Sequence, residues 1–130
     1  NPIVACGWQT ERWFTICTEI VYGYLANVHG KTPVREYAIY DGTPGSVWST
    51  SDNTEMLVDY FGPDGLGYIP YTPEHLTDWG GSSARVSADI NNGAFILQHR
   101  DHLLHRDLGI LQQGQQTSAG GGHRCRADVQ

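Results

Sequence analysis

The chain is poor in cysteine, in basic residues and in long apolar runs, and each shortage removes a class of protein. Cys6, Cys17 and Cys125 are an odd set without close pairing, so they spell neither a disulfide framework nor a zinc signature. Cys6 and Cys17 stand among apolar residues and read as buried core thiols. Eight Lys plus Arg against fourteen Asp plus Glu leave a formal charge of −6. A surface of that sign repels phosphate backbones, and no basic patch interrupts it, so nucleic acid is not an expected partner. The richest apolar segment, from Trp13 to Val28, is broken by Thr15, Thr18, Glu19 and Asn27. It falls short of the roughly 18 apolar residues of a membrane helix, and no membrane-spanning segment is expected. No secretory leader is readable at the start of the chain, which leaves export open. The chain starts Asn1-Pro2-Ile3-Val4 on a strand-like run without Met, which suggests that sequence lies upstream.

What is present suits one globular domain. The hydrophobic fraction of 39% over 130 residues is enough to build a core. Pro2 to Cys6 reads as a buried strand ending at Gly7. A helix follows, with Thr10 as its cap, Glu11 at its positive end and Gly30 closing it. Trp13, Ile16, Ile20, Tyr24 and Val28 recur at spacings of three and four, which predicts one apolar face covering a sheet. Glu36 to Tyr40 reads as a strand before the turn-rich Asp41–Gly45. Asp52 and Glu55 have capping-box spacing at the start of a second helix, which Gly62-Pro63 ends.

Gly67 to Pro70 reads as a brief strand, followed by a loop holding Pro73, Asp78 and Trp79. Ser82 or Ser83 caps a third helix carrying Val86 and Ile90, which stops at Asn91-Asn92-Gly93. Ala94-Phe95-Ile96-Leu97 is apolar without alternation, as expected of a strand covered on both faces. Alternation of strands and helices predicts an α/β fold with a mostly parallel sheet. Beyond residue 102 the composition turns to Gly and Gln. The expected organisation is therefore a folded region over 1–102 and a low-complexity tail over 103–130.

In a parallel α/β sheet, chemistry gathers beyond the carboxyl ends of the strands. Gln98-His99-Arg100-Asp101-His102 occupy such a place, and His102 is the leading candidate for a general base or acid. Glu74, Asp78 and Asp101 are acids able to orient an imidazole, although each also reads as a loop acid or helix cap. His99, His102 and His105 form an H-x2-H-x2-H series. On a strand His102 points away from the other two, so this spacing argues against a metal site. Cys125 has cationic neighbours that favour thiolate, but a low-complexity tail cannot hold a nucleophile in register with a base. His105-Arg106-Asp107-Leu108 imitates a kinase catalytic loop without the glycine-rich loop or lysine that such a site needs. Gly62–Gly67 follows a helix and lacks dinucleotide-binding spacing, so it is read as a turn.

Trp8-Gln9-Thr10-Glu11-Arg12-Trp13-Phe14, the helix through Tyr24, and Ile90-Asn91-Asn92-Gly93-Ala94-Phe95-Ile96-Leu97-Gln98-His99-Arg100-Asp101-His102 resemble the gingipain family of cysteine peptidases over residues 3–102. The resemblance implies a three-layer caspase-like α/β sandwich with a mostly parallel sheet, here incomplete. It also implies a secreted or bacterial cell-surface endopeptidase acting on protein or peptide substrates. His102 matches the family's catalytic histidine, which assists a cysteine thiolate at the end of the next strand and then protonates the leaving amine. Two departures stand out: Leu103 occupies the place of a glycine, and no second strand ending in cysteine follows. The lost pattern points to truncation, or to a change of reading frame shortly after His102. No cofactor is expected; the resemblance leaves room for a structural calcium ion, for which no ligand cluster is readable.

Two other functions compete with this one. A non-enzymatic α/β binding domain would use the four Trp and seven Tyr as a recognition surface. A metal-dependent hydrolase would use the histidine series.

Overall fold

A computed structural model describes residues 1–38, 45–76 and 79–102, with the side chains of His75 and Trp79 set aside. Residues 41–44 of the expected Asp41–Gly45 turn and the tail over 103–130 lie outside the described residues. Among the described residues four strands and three helices alternate: β1 Pro2–Cys6, α1 Trp13–Asn27, β2 Val34–Ala38, α2 Thr54–Phe61, β3 Trp79–Gly81, α3 Ser83–Asn91 and β4 Ile96–Arg100, with a 3₁₀ turn at Pro73–His75. The sheet has the order β3-β2-β1-β4, and every pairing in it is parallel. The fold is α/β, as the alternation predicts. No helix among the described residues is long and apolar enough to cross a membrane.

β1 is suited to one of the two interior positions of the sheet, the other being taken by β2. All five of its residues are buried, and an apolar run without alternation suits a parallel strand covered on both faces. Pairing in register, Val4 beside Arg35 and Gln98, and Ala5 beside Glu36 and His99, sends alternate side chains to opposite faces. Val4, Cys6 and Tyr37 meet Phe14 of α1 on one face. Ala5, Ala38, Leu97 and His99 meet Val86 of α3 on the other, around a narrow cavity.

α1 is covered on two sides, contrary to the single sheet-facing stripe read from the sequence. Phe14, Val21, Tyr22 and Leu25 pack on the sheet side. Trp13, Ile16 and Ile20 face outward into a second core with Trp48, Ile69, Leu57 and Phe61, while Tyr24 and Val28 stay exposed. The stripe is real, but the later segments of the chain cover it instead of the sheet. Gly23 makes this possible, since a Cβ there would overlap the backbone carbonyl of Tyr68. Trp48 locks the same layer by donating its indole N–H to the Pro70 carbonyl at 2.8 Å.

Several local expectations shift. Thr10 does not cap α1; Arg12 precedes the helix in the left-handed region, and the Gln9 side chain accepts the Phe14 N–H at 3.2 Å. Neither Asp52 nor Glu55 forms the expected capping box, for Asn53 precedes α2 without a side-chain cap. Ser82 does cap α3, accepting the Arg85 N–H at 3.2 Å. Residues 67–70 are irregular: Tyr68 and Ile69 both donate to the Phe61 carbonyl and no strand lies beside them. The third strand falls at Trp79–Gly81 instead. β4 begins two residues later than its apolar run, and among the described residues it is an edge strand on which Ile96 is 45% exposed.

Gly23→Ala is expected to destabilise the chain by about 2 kcal/mol or more, although Ala is the better helix former by about 1 kcal/mol. Urea denaturation checks this. A stabilised Gly23→Ala variant would contradict the close approach of Tyr68.

Candidate active site at the carboxyl ends of β1 and β4

β1 and β4 end together. Cys6 lies beside Arg100, and the Gly7 N–H extends the ladder by donating to the Arg100 carbonyl at 3.0 Å. The next residues, Asp101 and His102, leave the sheet at its carboxyl edge. Gln98, His99 and Arg100 belong to the strand itself, so only Asp101 and His102 stand in the loop position expected for all of them. His102 is exposed, and its ring sets an edge against Phe14 with centroids 4.7 Å apart at 64°. Phe14 is buried at the start of α1 and also carries the Arg100 guanidinium 5.6 Å from its ring.

Asp101 occupies the space between the two histidines. One carboxylate oxygen accepts the His102 backbone N–H at 2.7 Å; the other lies 4.0 Å from His99 Nε2. His99 turns to the α3 face while His102 meets α1, so the strand sends them to opposite sides. His105 and Cys125 lie outside the described residues. Among the described residues, no group of three metal-ligating side chains stands together. Of the other candidate acids, Glu74 is exposed on the 3₁₀ turn and Asp78 lies outside the described residues.

Burial disfavours the thiolate form of both described cysteines. Burial pushes the Cys6 thiol up to about 12, against smaller opposing effects from Thr15 and Thr18 hydroxyls. Its sulfur lies 3.9 Å from Thr15 Oγ1 in the core. Cys17 is raised by burial as well, with Arg100 opposing. Both behave as the small apolar residues expected from their surroundings.

Two buried acids escaped the sequence reading. Glu19 of α1 is fully buried and is held by Arg35 through bonds of 2.9 and 2.6 Å and by the Tyr37 hydroxyl at 2.6 Å. Burial works against the Arg35 charge, but the Glu19 hydrogen bond and charge outweigh it and raise the guanidinium pKa. The same burial, joined by the Glu19 charge, drives the Tyr37 hydroxyl well above its ordinary value. On the opposite face, Glu36 is 3% exposed and borders the cavity with His99. Arg85 Nη2 approaches one Glu36 oxygen to 3.0 Å but out of line, so neither oxygen holds an aligned hydrogen bond. Burial raises this carboxyl to about 7; Arg85 opposes the shift and Asp89 adds to it. An acid inside an apolar helix, and another in a buried strand, each with an arginine near, was the available signal.

Comparison with protein families, curated proteins and solved structures returned no match to this chain.

The sign of the Glu36 effect is opposite to that of a salt-bridged carboxylate. Its pKa is higher folded, about 7, than its ordinary 4.5, so the folded state binds the proton more tightly. Its stabilising contribution is full below pH 4.5 and is lost as pH rises through 7. Wild type should lose about 3 kcal/mol more than Glu36→Gln across that window, measured by urea unfolding at several pH values. Parallel pH profiles for the two proteins would refute it.

Proposed function

We propose that this chain is the amino-terminal part of the catalytic domain of a cysteine endopeptidase of the gingipain type, with a caspase-like layered fold. The observation that carries the reading is the position of His102. It is an exposed imidazole at the carboxyl end of a parallel strand, with an aromatic edge beneath it and a carboxylate holding its backbone. An imidazole so placed can take a proton from a thiol and return it to a leaving amine. The thiol itself would come from the following strand. β4 offers room for one: among the described residues it pairs only with β1, and Phe95 and Ile96 beside that edge are 66% and 45% exposed.

On this reading the substrates are proteins or peptides, and the enzyme works outside the cell or at its surface. On this reading the chain by itself is inactive: burial disfavours the thiolate of Cys6, which lies in the core, and of half-buried Cys17. The acidic composition gives no support to a nucleic-acid substrate.

The test uses the intact gene product, read through the frame that follows Asp101. An irreversible thiol-directed peptidase inhibitor should label a single cysteine beyond residue 102, and His102→Ala should slow labelling by about a hundredfold or more. Absence of specific labelling, or labelling indifferent to His102→Ala, would overturn the peptidase reading in favour of a binding domain.

A further inference from the structure

Asp101 and Gly7 make a feature that neither the fold nor the proposed chemistry explains. The Asp101 carboxylate lies directly over Gly7, and a Cβ at that position would overlap both carboxylate oxygens and the carboxyl carbon. No side chain is tolerated there without the carboxylate moving. The carboxylate belongs to a flexible side chain, so it can move, and the sheet need not. Gly7 is meanwhile fixed in place, because its N–H donates to the Arg100 carbonyl at 3.0 Å. The absence of a side chain on the residue that follows β1 therefore leaves room for a carboxylate at β4's exit.

That carboxylate in turn decides where His102 sits. Its oxygen accepts the His102 N–H at 2.7 Å, which fixes the peptide bond from which the imidazole departs. The partner oxygen is turned toward His99 Nε2 at 4.0 Å. Phe14 supplies the remaining constraint, meeting the ring edge-on with centroids 4.7 Å apart. The imidazole is exposed, so little else in the described residues restrains it.

We infer that Asp101 is a positioning residue for the His102 imidazole, and that Gly7 is the seat which holds Asp101 in that role. The inference rests on the reading of His102 as the proton carrier. It deepens that reading by locating the orienting acid beside the histidine in sequence, where it works through the backbone and not through a ring nitrogen. A charge-assisted bond to a backbone N–H is well suited to the task, being short and directional. Small displacements of a catalytic group cost rate steeply, so a seat shaped by a missing methyl group has functional weight.

The coupling makes a definite double-mutant pattern. Gly7→Ala acts only by displacing the Asp101 carboxylate; once that carboxylate is gone, the same substitution has nothing left to displace. The experiment uses the 130-residue chain and follows carbethoxylation of each histidine by diethyl pyrocarbonate, resolved by mass spectrometry. Exposed His29, which packs against Tyr24, serves as the internal control.

Asp101→Ala and Gly7→Ala should each change the His102 rate in the same direction by about twofold or more, the lower range for coupled neighbours, while His29 is unmoved. The double variant should match Asp101→Ala alone. Asp101→Asn, which keeps a carbonyl oxygen for the His102 N–H, should restore a rate within about twofold of wild type. The His102 amide proton gives a second readout, shifting upfield in NMR spectra when the Asp101 acceptor is removed. This readout and the Asp101→Asn comparison decide the matter even where Gly7→Ala does not fold. Additive effects of the two substitutions, or an unmoved His102 rate and amide in Asp101→Ala, would overturn the inference. Either result concerns imidazole chemistry in this chain, so it is separate from the fate of inhibitor labelling in the intact gene product.

Discussion

β1 is buried at all five positions and hydrogen-bonded in parallel along both of its edges. The placement of the candidate site follows from that double pairing. The register with β2 sets Arg35 and Tyr37 on the α1 face and Glu36 on the α3 face. The register with β4 brings Arg100 beside Cys6 and so delivers Asp101 and His102 to the point where β1 also ends. A shift of one residue would exchange the faces of every side chain in β4. His102 would then leave Phe14, and the candidate site would not exist.

The two faces of the sheet solve the burial of charge differently. Beneath α1, Glu19 receives the Arg35 fork and the Tyr37 hydroxyl, and Tyr22 covers the guanidinium at 3.7 Å. A buried pair with its lone pairs satisfied need not add net stability, but losing one partner is costly. Beneath α3, an off-line arginine does not offset the burial of Glu36, whose carboxyl is raised to about 7 with Asp89 adding to the shift. Small residues, Ala5, Ala38 and Gly81, leave space around it. The first acid fastens helix to sheet; the second makes the opposite layer sensitive to pH near neutrality.

Much of the architecture was legible because it is local. An apolar run ending in glycine gave β1, Ser82 capped α3, and Gly62-Pro63 closed α2. The Thr10 and Asp52–Glu55 caps were misread locally, whereas the larger misreadings concern partners distant in sequence. The Trp13–Ile16–Ile20 stripe has helical periodicity, but periodicity does not say whether a sheet or Trp48 and Ile69 will cover it. Ala94–Leu97 looked like an interior strand from composition, whereas pairing with β1 runs from Ile96 to Arg100 and leaves Phe95 outside. His102 was readable as a candidate from its position after a strand. Gly7, Gln9 and Phe14, which shape its surroundings, were not, since each acts through a contact that only the folded chain creates.

The central claim is that His102 stands at the carboxyl edge of the sheet with its ring against Phe14. A nuclear Overhauser spectrum of the isotopically labelled chain measures this contact directly. Cross-peaks between the His102 ring protons and those of Phe14 are expected, together with backbone contacts between Cys6 and Arg100. A His102 ring that shows neither, while the β1–β4 contacts remain, would contradict the placement on which the proposed chemistry depends.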